Sequence, residues 1–337
     1  MVARLQKILV LATLLAMALW WHWMAPRSPG WALAGVALPL LLHAGVLGLQ
    51  FVLMQRANAR AAANASASAS ASASASASAS VSASASATGS GAMPVPLASG
   101  LQRLRAWAGE VGASVRLFCW HQPFRSQAEP DLLVQPGTVR MGLGGPRGVV
   151  LVHGFLCNRG AWRPWLRALR QAGHVCEAVN LEPVLGTIED CVPTLEAAVQ
   201  RVTQLTGRAP VLVCHSMGGL VARAWLRSAQ NDARMHRAIT LGTPHHGTAL
   251  ADFAYSPNGR QMQLGGEWLA RLHQSEPPGR AARFTCWYSN CDNIVFPSHA
   301  ATLPGADNRL LPGVAHVAMA AHPLPLQSCL DDLARDG

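Results

Sequence analysis

A serine stands between an apolar run and two glycines in the segment PVLVCHSMGGLVARAW, which covers Pro210–Trp225. The run Val211–Cys214 predicts a buried strand, and the pattern of Met217–Ser228 predicts a helix directly after the serine. A serine at such a turn is held on a strained corner, and the first N–H groups of the helix favour negative charge beside it. Ser216 is therefore a candidate nucleophile, with simple helix capping as its alternative role.

A serine hydroxyl is a weak nucleophile at neutral pH, so a histidine must accept its proton and a carboxylate must orient that histidine. His316 is the first candidate base because it lies in a Gly-Val-Ala-His turn after the last predicted strand. His322 and then His299 are the alternatives. Asp292, just after another predicted strand, is the candidate acid, with Asp307 as the alternative. An Asx-turn is the alternative role of the first aspartate.

Short apolar runs alternate with helical patterns through the C-terminal part of the chain, which predicts an α/β fold. Continuous apolar runs indicate buried parallel strands, so we expect a mostly parallel, doubly wound sheet with helices on both faces. The active site of such a sheet forms at the carboxyl ends of its strands. The predicted strands are Ser114–Trp120, Arg147–Val152, His174–Leu181, Val211–Cys214, Arg237–Leu241, Ala282–Tyr288 and Arg309–Leu311, and helices are predicted at Asn158–Ala172, Ile188–Leu205 and Met217–Ser228.

Four motifs in this order resemble the lipase and esterase branch of the α/β-hydrolase family. They are LVHGF at 151–155, CHSMGG at 214–219, LGTPHHGT at 241–248, and YSNCDNIVFP at 288–297 with the later GVAH at 313–316. The first glycine of the usual Gly-x-Ser-x-Gly turn is replaced by Cys214, which is also small. The resemblance implies a triad of Ser216, Asp292 and His316, and oxyanion donation by the backbone N–H groups of Phe155 and Met217. It also implies supporting roles for His153, Gly154, His215, Gly218 and His245.

The expected activity is that of a serine ester hydrolase of lipase or carboxylesterase type, acting on an ester or lipid substrate. An acyltransferase or thioesterase with the same triad is the alternative, followed by a non-catalytic, membrane-tethered binding module. The eight cysteines form no Cys-x-x-Cys motif, and the neighbouring His245 and His246 should point to opposite sides of an extended segment, so we expect no metal and no cofactor. The net charge of +10 comes without a nucleic-acid-binding motif, so no nucleic-acid partner is expected.

The N-terminal residues predict a membrane anchor. Ile8–Met24 and Trp31–Met54 contain no Asp, Glu, Lys or Arg, and each approaches the roughly 20 residues that cross a bilayer. We expect a transmembrane hairpin within residues 1–58, and a cleavable signal peptide is the competing interpretation of the first segment. Basic residues flank both outer ends, which predicts a multi-pass protein of the inner or plasma membrane with a cytoplasmic catalytic domain.

Residues 59–98 are dominated by alternating Ala and Ser and are predicted to form a flexible linker. The catalytic domain is then expected over residues 99–337. Within it, residues near 249–279 are predicted to form a short cap. Its apolar side chains would either offer a surface to an acyl chain or pack on the core.

Overall fold

The strands of the catalytic domain form a six-stranded parallel sheet. The computed structural model describes residues 1–78, 95–133 and 146–335. The strands are β1 Val149–Val152, β2 Cys176–Ala178, β3 Val211–His215, β4 Arg237–Leu241, β5 Phe284–Tyr288 and β6 Asp307–Leu310. Their order in the sheet is β2-β1-β3-β4-β5-β6, and every neighbouring pair is parallel. The predicted fold class is confirmed.

Helices precede the sheet and connect its strands. They are α1 Val2–Met24, α2 Pro29–Ser78, α3 Gly100–Arg116, α4 Gln122–Phe124, α5 Arg163–Gln171, α6 Val192–Thr206, α7 Met217–Ala229, α8 Pro257–Gln261, α9 Glu267–Gln274, α10 His316–Met319 and α11 Pro323–Arg335. Short 3₁₀ turns cover Arg159–Trp162, Glu189–Cys191, Asp232–Arg234, Ala249–Phe253, Arg280–Arg283 and Ser298–Ala301.

Two core layers sandwich the sheet, one on each face. Successive side chains of a strand point to opposite faces. Accordingly, one set of side chains from β1 and β3 packs with α6, α7 and α9, namely Val150, Val152, Leu212 and Cys214. The alternate set packs with α5 and α11, namely Val149, Leu151, Val211 and Val213. Burial on both faces explains why these strands are apolar without alternation. It also fixes the register that brings the strand ends to one edge.

The opening strand predicted at Ser114–Trp120 is wrong, because this segment is helical. It contains the end of α3 and a π-helical turn at Leu117–His121. Ala106, Glu110 and Ser114 are buried at a spacing of four residues, which is the spacing of one helix face. A short apolar run does not by itself distinguish a buried strand from a buried helix.

The predicted hairpin spans lie within α1 and α2, which pack against each other. By length and composition, both helices could cross a membrane. The second helix does not end near Met54 but continues to Ser78, so the part of the predicted linker up to this residue is helical. Alanine has the highest helix propensity, and the hydroxyl of Ser66 bonds back to the carbonyl of Ala62 at 3.0 Å.

The remainder of the predicted linker divides into two parts. Residues 79–94 lie outside the described residues. Residues 95–98 are docked on the catalytic domain, since the carbonyl of Pro96 accepts a hydrogen bond from Asn290 Nδ2 at 3.1 Å and Ala98 is buried. The last residues of the linker are thus part of the folded domain.

The predicted cap is a helical insert between β4 and β5 that contains α8 and α9. Met262 and Leu269 are buried in the core layer, whereas Phe253 and Tyr255 are 72% and 90% exposed. Asn258 Nδ2 donates to the carbonyl of Val184 at 2.9 Å and so ties the insert to the loop after β2. Part of the apolar surface of the insert therefore packs on the core and part is exposed, and a role towards an acyl chain stays a prediction.

Candidate active site

Ser216 occupies a strained turn between β3 and α7. Its φ of 55° and ψ of −129° are unusual for a residue with a side chain, and such strain is common at functional sites. Two glycines allow neighbouring segments to approach this turn. A Cβ on Gly154 would lie 2.7 Å from the Cβ of the serine, and one on Gly218 would overlap the carbonyl oxygen of Val152. Cys214, at the place of the missing first glycine, is fully buried in the core layer beside α7.

Asp292 and His316 form a buried pair at the ends of the neighbouring strands. The Nδ1–H of His316 donates to Asp292 Oδ2 at 2.9 Å. The other carboxylate oxygen, Oδ1, accepts the N–H groups of Ile294 and Val295 at 2.9 and 2.8 Å. The aspartate therefore makes an Asx-type turn and orients the histidine at the same time, and the Nε2 atom of the histidine is left as the proton acceptor.

The surroundings of His316 favour its protonated form. Burial lowers the pKa of His316, but the adjacent Asp292 carboxylate and the more distant Glu110 raise it, and the net result is a pKa above the ordinary value. His215 Nε2 donates to the backbone carbonyl of His316 at 3.0 Å. Burial lowers the pKa of His215 to about 3, so this histidine acts as a neutral brace.

Two backbone N–H groups beside the serine are available to an oxyanion. Within the described residues, neither the N–H of Phe155 nor that of Met217 has a hydrogen-bond acceptor in the protein. The loop before Phe155 is braced by His153, whose Nε2 accepts the N–H of Leu181 at 3.0 Å and whose Nδ1 lies 2.9 Å from the carbonyl oxygen of Gly154. Burial lowers the pKa of His153 to about 4, which keeps this brace neutral.

The Thr-Pro-His stretch supports the site through residues that the sequence did not single out. Thr243 Oγ1 donates to the carbonyl of Ser216 at 2.8 Å. Gly242 has a φ of +56°, and a Cβ there would lie 2.8 Å from Asp292 Oδ2. His245 lies deeper, where its carbonyl accepts a hydrogen bond from Arg223 Nη1 at 3.0 Å. Within the described residues no hydrogen bond joins His245 to Ser216, so its supporting role stays a prediction.

The alternative acid and bases lie apart from this pair. Asp307 forms an ion pair of 2.6 Å with Arg309 at the partly exposed edge of the sheet. His322 accepts the N–H of Leu324, and His299 is exposed. Among the described residues, no group of three or more His, Cys, Asp or Glu side chains is placed to hold a metal ion.

Comparison with known proteins agrees with this architecture. A family model described as "Alpha/beta hydrolase family" matches residues 149–335, which is more than half of the chain. No curated protein sequence matches the chain. The mature lipase BlEst2 of Bacillus licheniformis superposes with a TM-score of 0.51 at 21% identity, covering 58% of this chain and 95% of that one. Lipase B of Aspergillus fumigatus gives a TM-score of 0.50 at 19% identity and covers 60% of this chain and 56% of that one.

At these identities the two lipases are evidence of a shared fold. The family match runs from the first strand of the sheet into the last helix, and the sheet has the parallel topology that the sequence predicted. This chain therefore belongs to the α/β-hydrolase family.

Proposed function

We propose that the chain is a membrane-anchored serine ester hydrolase of lipase or carboxylesterase type, which forms an acyl-enzyme on Ser216. The observation that carries the proposal is the buried hydrogen bond of 2.9 Å between His316 Nδ1 and Asp292 Oδ2. This bond selects the tautomer in which Nε2 accepts a proton, and the strained serine turn provides the hydroxyl from which that proton would come.

The reaction follows from the roles of these groups. His316 Nε2 takes the proton of Ser216 Oγ as this oxygen attacks the ester carbonyl, and the N–H groups of Phe155 and Met217 bind the resulting oxyanion. Collapse of the intermediate breaks the ester C–O bond, and the imidazolium gives its proton to the leaving alkoxide. Water, deprotonated by the same histidine, then attacks the acyl-enzyme. The bond between the acyl carbon and Ser216 Oγ breaks, this oxygen regains its proton from the imidazolium, and the acid is released.

The apolar surfaces of the protein support a lipid-like ester as substrate. Leu156, which follows a proposed oxyanion donor, is exposed, as are Leu185, Phe253 and Tyr255 on the adjoining loop and insert. Exposed apolar side chains would favour an acyl chain over a polar substrate. The α1 and α2 helices, whose outer faces are apolar and exposed, would hold these side chains near a membrane.

Contacts at both ends of the hairpin support a catalytic domain on the same side of the membrane as the N-terminus. The N-terminal ammonium of Met1 lies 2.6 Å from Glu182 Oε1, and near the end of the apolar stretch Asn293 Nδ2 donates to Gln50 Oε1 at 2.8 Å. The basic flanks assign that side to the cytoplasm. The test is a reporter that is active only in an oxidising compartment, fused after Gly337. Activity of this reporter would contradict the cytoplasmic assignment.

Hydrolysis of 4-nitrophenyl esters of increasing acyl length, by the full chain in detergent micelles, tests the proposal. We expect turnover that Ser216→Ala abolishes, and a preference for acyl chains longer than acetyl. Ser228→Ala, a substitution near the end of the same helix, is the matched control and should retain full activity. Equal turnover by the two variants would contradict the proposal. Accumulation of a new ester when an alcohol is added would instead identify an acyltransferase.

A further inference from the structure

Two helices outside the family match, α2 and α3, contact the loops that carry the acid and the histidine. The match begins at residue 149, whereas Glu110 lies on α3 and Gln50 on α2. A buried apolar cluster joins these elements and contains Phe51, Met54, Ala98, Ala106, Cys291, Phe296 and Ala315. The interface therefore adjoins the candidate active site.

Glu110 makes the most direct of these contacts. Its Oε1 accepts the N–H of Val317 at 2.8 Å, and its Oε2 accepts the N–H of Ala318 at 3.0 Å. These N–H groups belong to the two residues after His316, at the start of the short helix α10. Ala315 precedes this helix and makes no side-chain cap, so a carboxylate from 207 residues away supplies the missing acceptor.

Because Glu110 is buried, its carboxylate needs partners inside the protein. The side chain of Glu110 is 1% exposed, and a buried carboxylate is costly unless hydrogen bonds or charges compensate it. Burial raises the pKa of Glu110, while the N–H of Val317, the imidazole of His316 and the N–H of Ala318 oppose that rise. The glutamate is thus compensated by the very segment that holds the catalytic base.

The acid loop is held in the same manner by α2. Asn293 bridges the two sides of the interface, since its Oδ1 accepts the N–H of His316 at 3.2 Å and its Nδ2 donates to Gln50 Oε1 at 2.8 Å. Asn58 Oδ1 accepts the N–H of Ser298 at 2.8 Å, at the end of the same loop. Both loops of the acid–histidine pair are therefore bonded to the N-terminal helices.

We propose that Glu110 is a positioning residue that fixes the backbone of His316, and that α2 and α3 form a clamp that couples the anchor to the catalytic geometry. The proposal rests on the catalytic role of His316 given above. Glutamine at position 110 can accept only one of the two N–H groups, because its NH₂ group faces the other as a second donor. The segment after the histidine should then shift or loosen.

Charge gives this role a signature that loss of folding alone would not produce. The ionisable groups that face His316 are Asp292, Glu110 and His215. Because Glu110 raises the pKa of His316, its replacement by Gln should lower that pKa. The histidine acts as a base only when neutral, so the acid limb of the pH–rate profile should move to lower pH.

The test compares the full-length wild type with Glu110→Gln and Glu267→Gln in detergent micelles. Glu267 is an exposed glutamate that, among the described residues, pairs with Arg271 on its own helix alone, so its variant is a charge-matched control. We expect Glu110→Gln to lower kcat per titrated active site by about 10- to 100-fold, the loss that a displacement of about 1 Å brings, with KM little changed. We also expect faster hydrogen exchange in residues 311–322, which does not depend on turnover.

Wild-type kcat and an unmoved acid limb in Glu110→Gln would overturn the proposal. The proposal would also be overturned if Glu110→Gln had fewer titratable active sites but a wild-type kcat at each of them, since this would indicate a purely structural role. If Glu110→Gln does not fold, Gln50→Ala serves instead, and a wild-type kcat there overturns the clamp. If the wild type neither hydrolyses esters nor reacts with a fluorophosphonate, the proposed function fails, and hydrogen exchange still tests whether Glu110 holds the segment.

Discussion

Replacing the candidate acid by its amide, Asp292→Asn, should disable the histidine while leaving the loop nearly intact. Oδ1 of the aspartate accepts two backbone N–H groups, so the amide oxygen of asparagine will occupy that position. The NH₂ group must then face Nδ1 of His316, where Oδ2 now accepts a hydrogen bond of 2.9 Å. A donor there forces the imidazole proton onto Nε2, and Nε2 can no longer accept the proton of the serine.

The size of the effect follows from this change of tautomer. Loss of the correct tautomer in a serine–histidine–acid site costs about 10⁴-fold in kcat. Since each factor of ten corresponds to about 1.36 kcal/mol, the transition state loses about 5.4 kcal/mol of stabilisation. The folded state loses much less, about 1.5–3 kcal/mol, because only one hydrogen bond to a charged group is replaced.

The assay is steady-state hydrolysis of a 4-nitrophenyl ester, normalised to the concentration of folded protein from circular dichroism. Asp307→Asn is the control, since this aspartate forms a partly exposed ion pair with Arg309, and such pairs contribute up to about 1 kcal/mol to stability. Retention of more than about a tenth of wild-type kcat by Asp292→Asn would refute the reasoning. So would an equal loss in the two variants.

Three further results are expected. Gly242→Ala should lower kcat at least about 100-fold, because a Cβ there displaces the acid–histidine pair. Gly265→Ala is also at positive φ but faces open space, so it should cost only about 1–2 kcal/mol of stability. Steady-state kinetics and thermal melts distinguish the two effects. The acid limb of kcat/KM against pH should have its midpoint above 6.5, because the pKa of His316 is raised and its neutral form is the base; a lower midpoint argues against this environment. Arg223→Met should destabilise the fold by about 3 kcal/mol, because this fully buried guanidinium pairs with the largely buried carboxylate of Glu276. Arg227→Met should cost less than about 1 kcal/mol, because its ion pair is partly exposed. Chemical denaturation measures both values.

The sheet could be predicted from the sequence because its strands are short apolar runs between helical patterns. β4 has the predicted bounds Arg237–Leu241, and the other matching strands differ from their predictions by one to three residues at an end. The contact between Asp292 and His316 was also expected, since each follows a predicted strand of a parallel sheet and the family resemblance implies that they act together. The catalytic role of these residues and of Ser216 stays a prediction.

The clamp could not be predicted, for two physical reasons. The segment Ser114–Trp120 has too few residues for its apolar pattern to distinguish strand from helix, so the helix that carries Glu110 was missed. The contact from Glu110 to Val317 also joins residues 207 positions apart, which no local pattern indicates. Likewise, the alternating Ala and Ser residues were interpreted as a linker because they cannot build a core, although alanine itself favours a helix.

Covalent labelling of the full chain with a fluorophosphonate, followed by mass spectrometry of its peptides, tests the central claim most directly. We expect one adduct per chain, on Ser216, formed rapidly by the wild type and absent from Ser216→Ala. The adduct should form much more slowly in Asp292→Asn, because the histidine can no longer accept the serine proton. A folded wild type that acquires no adduct, or an adduct on another residue that persists in Ser216→Ala, would contradict the account.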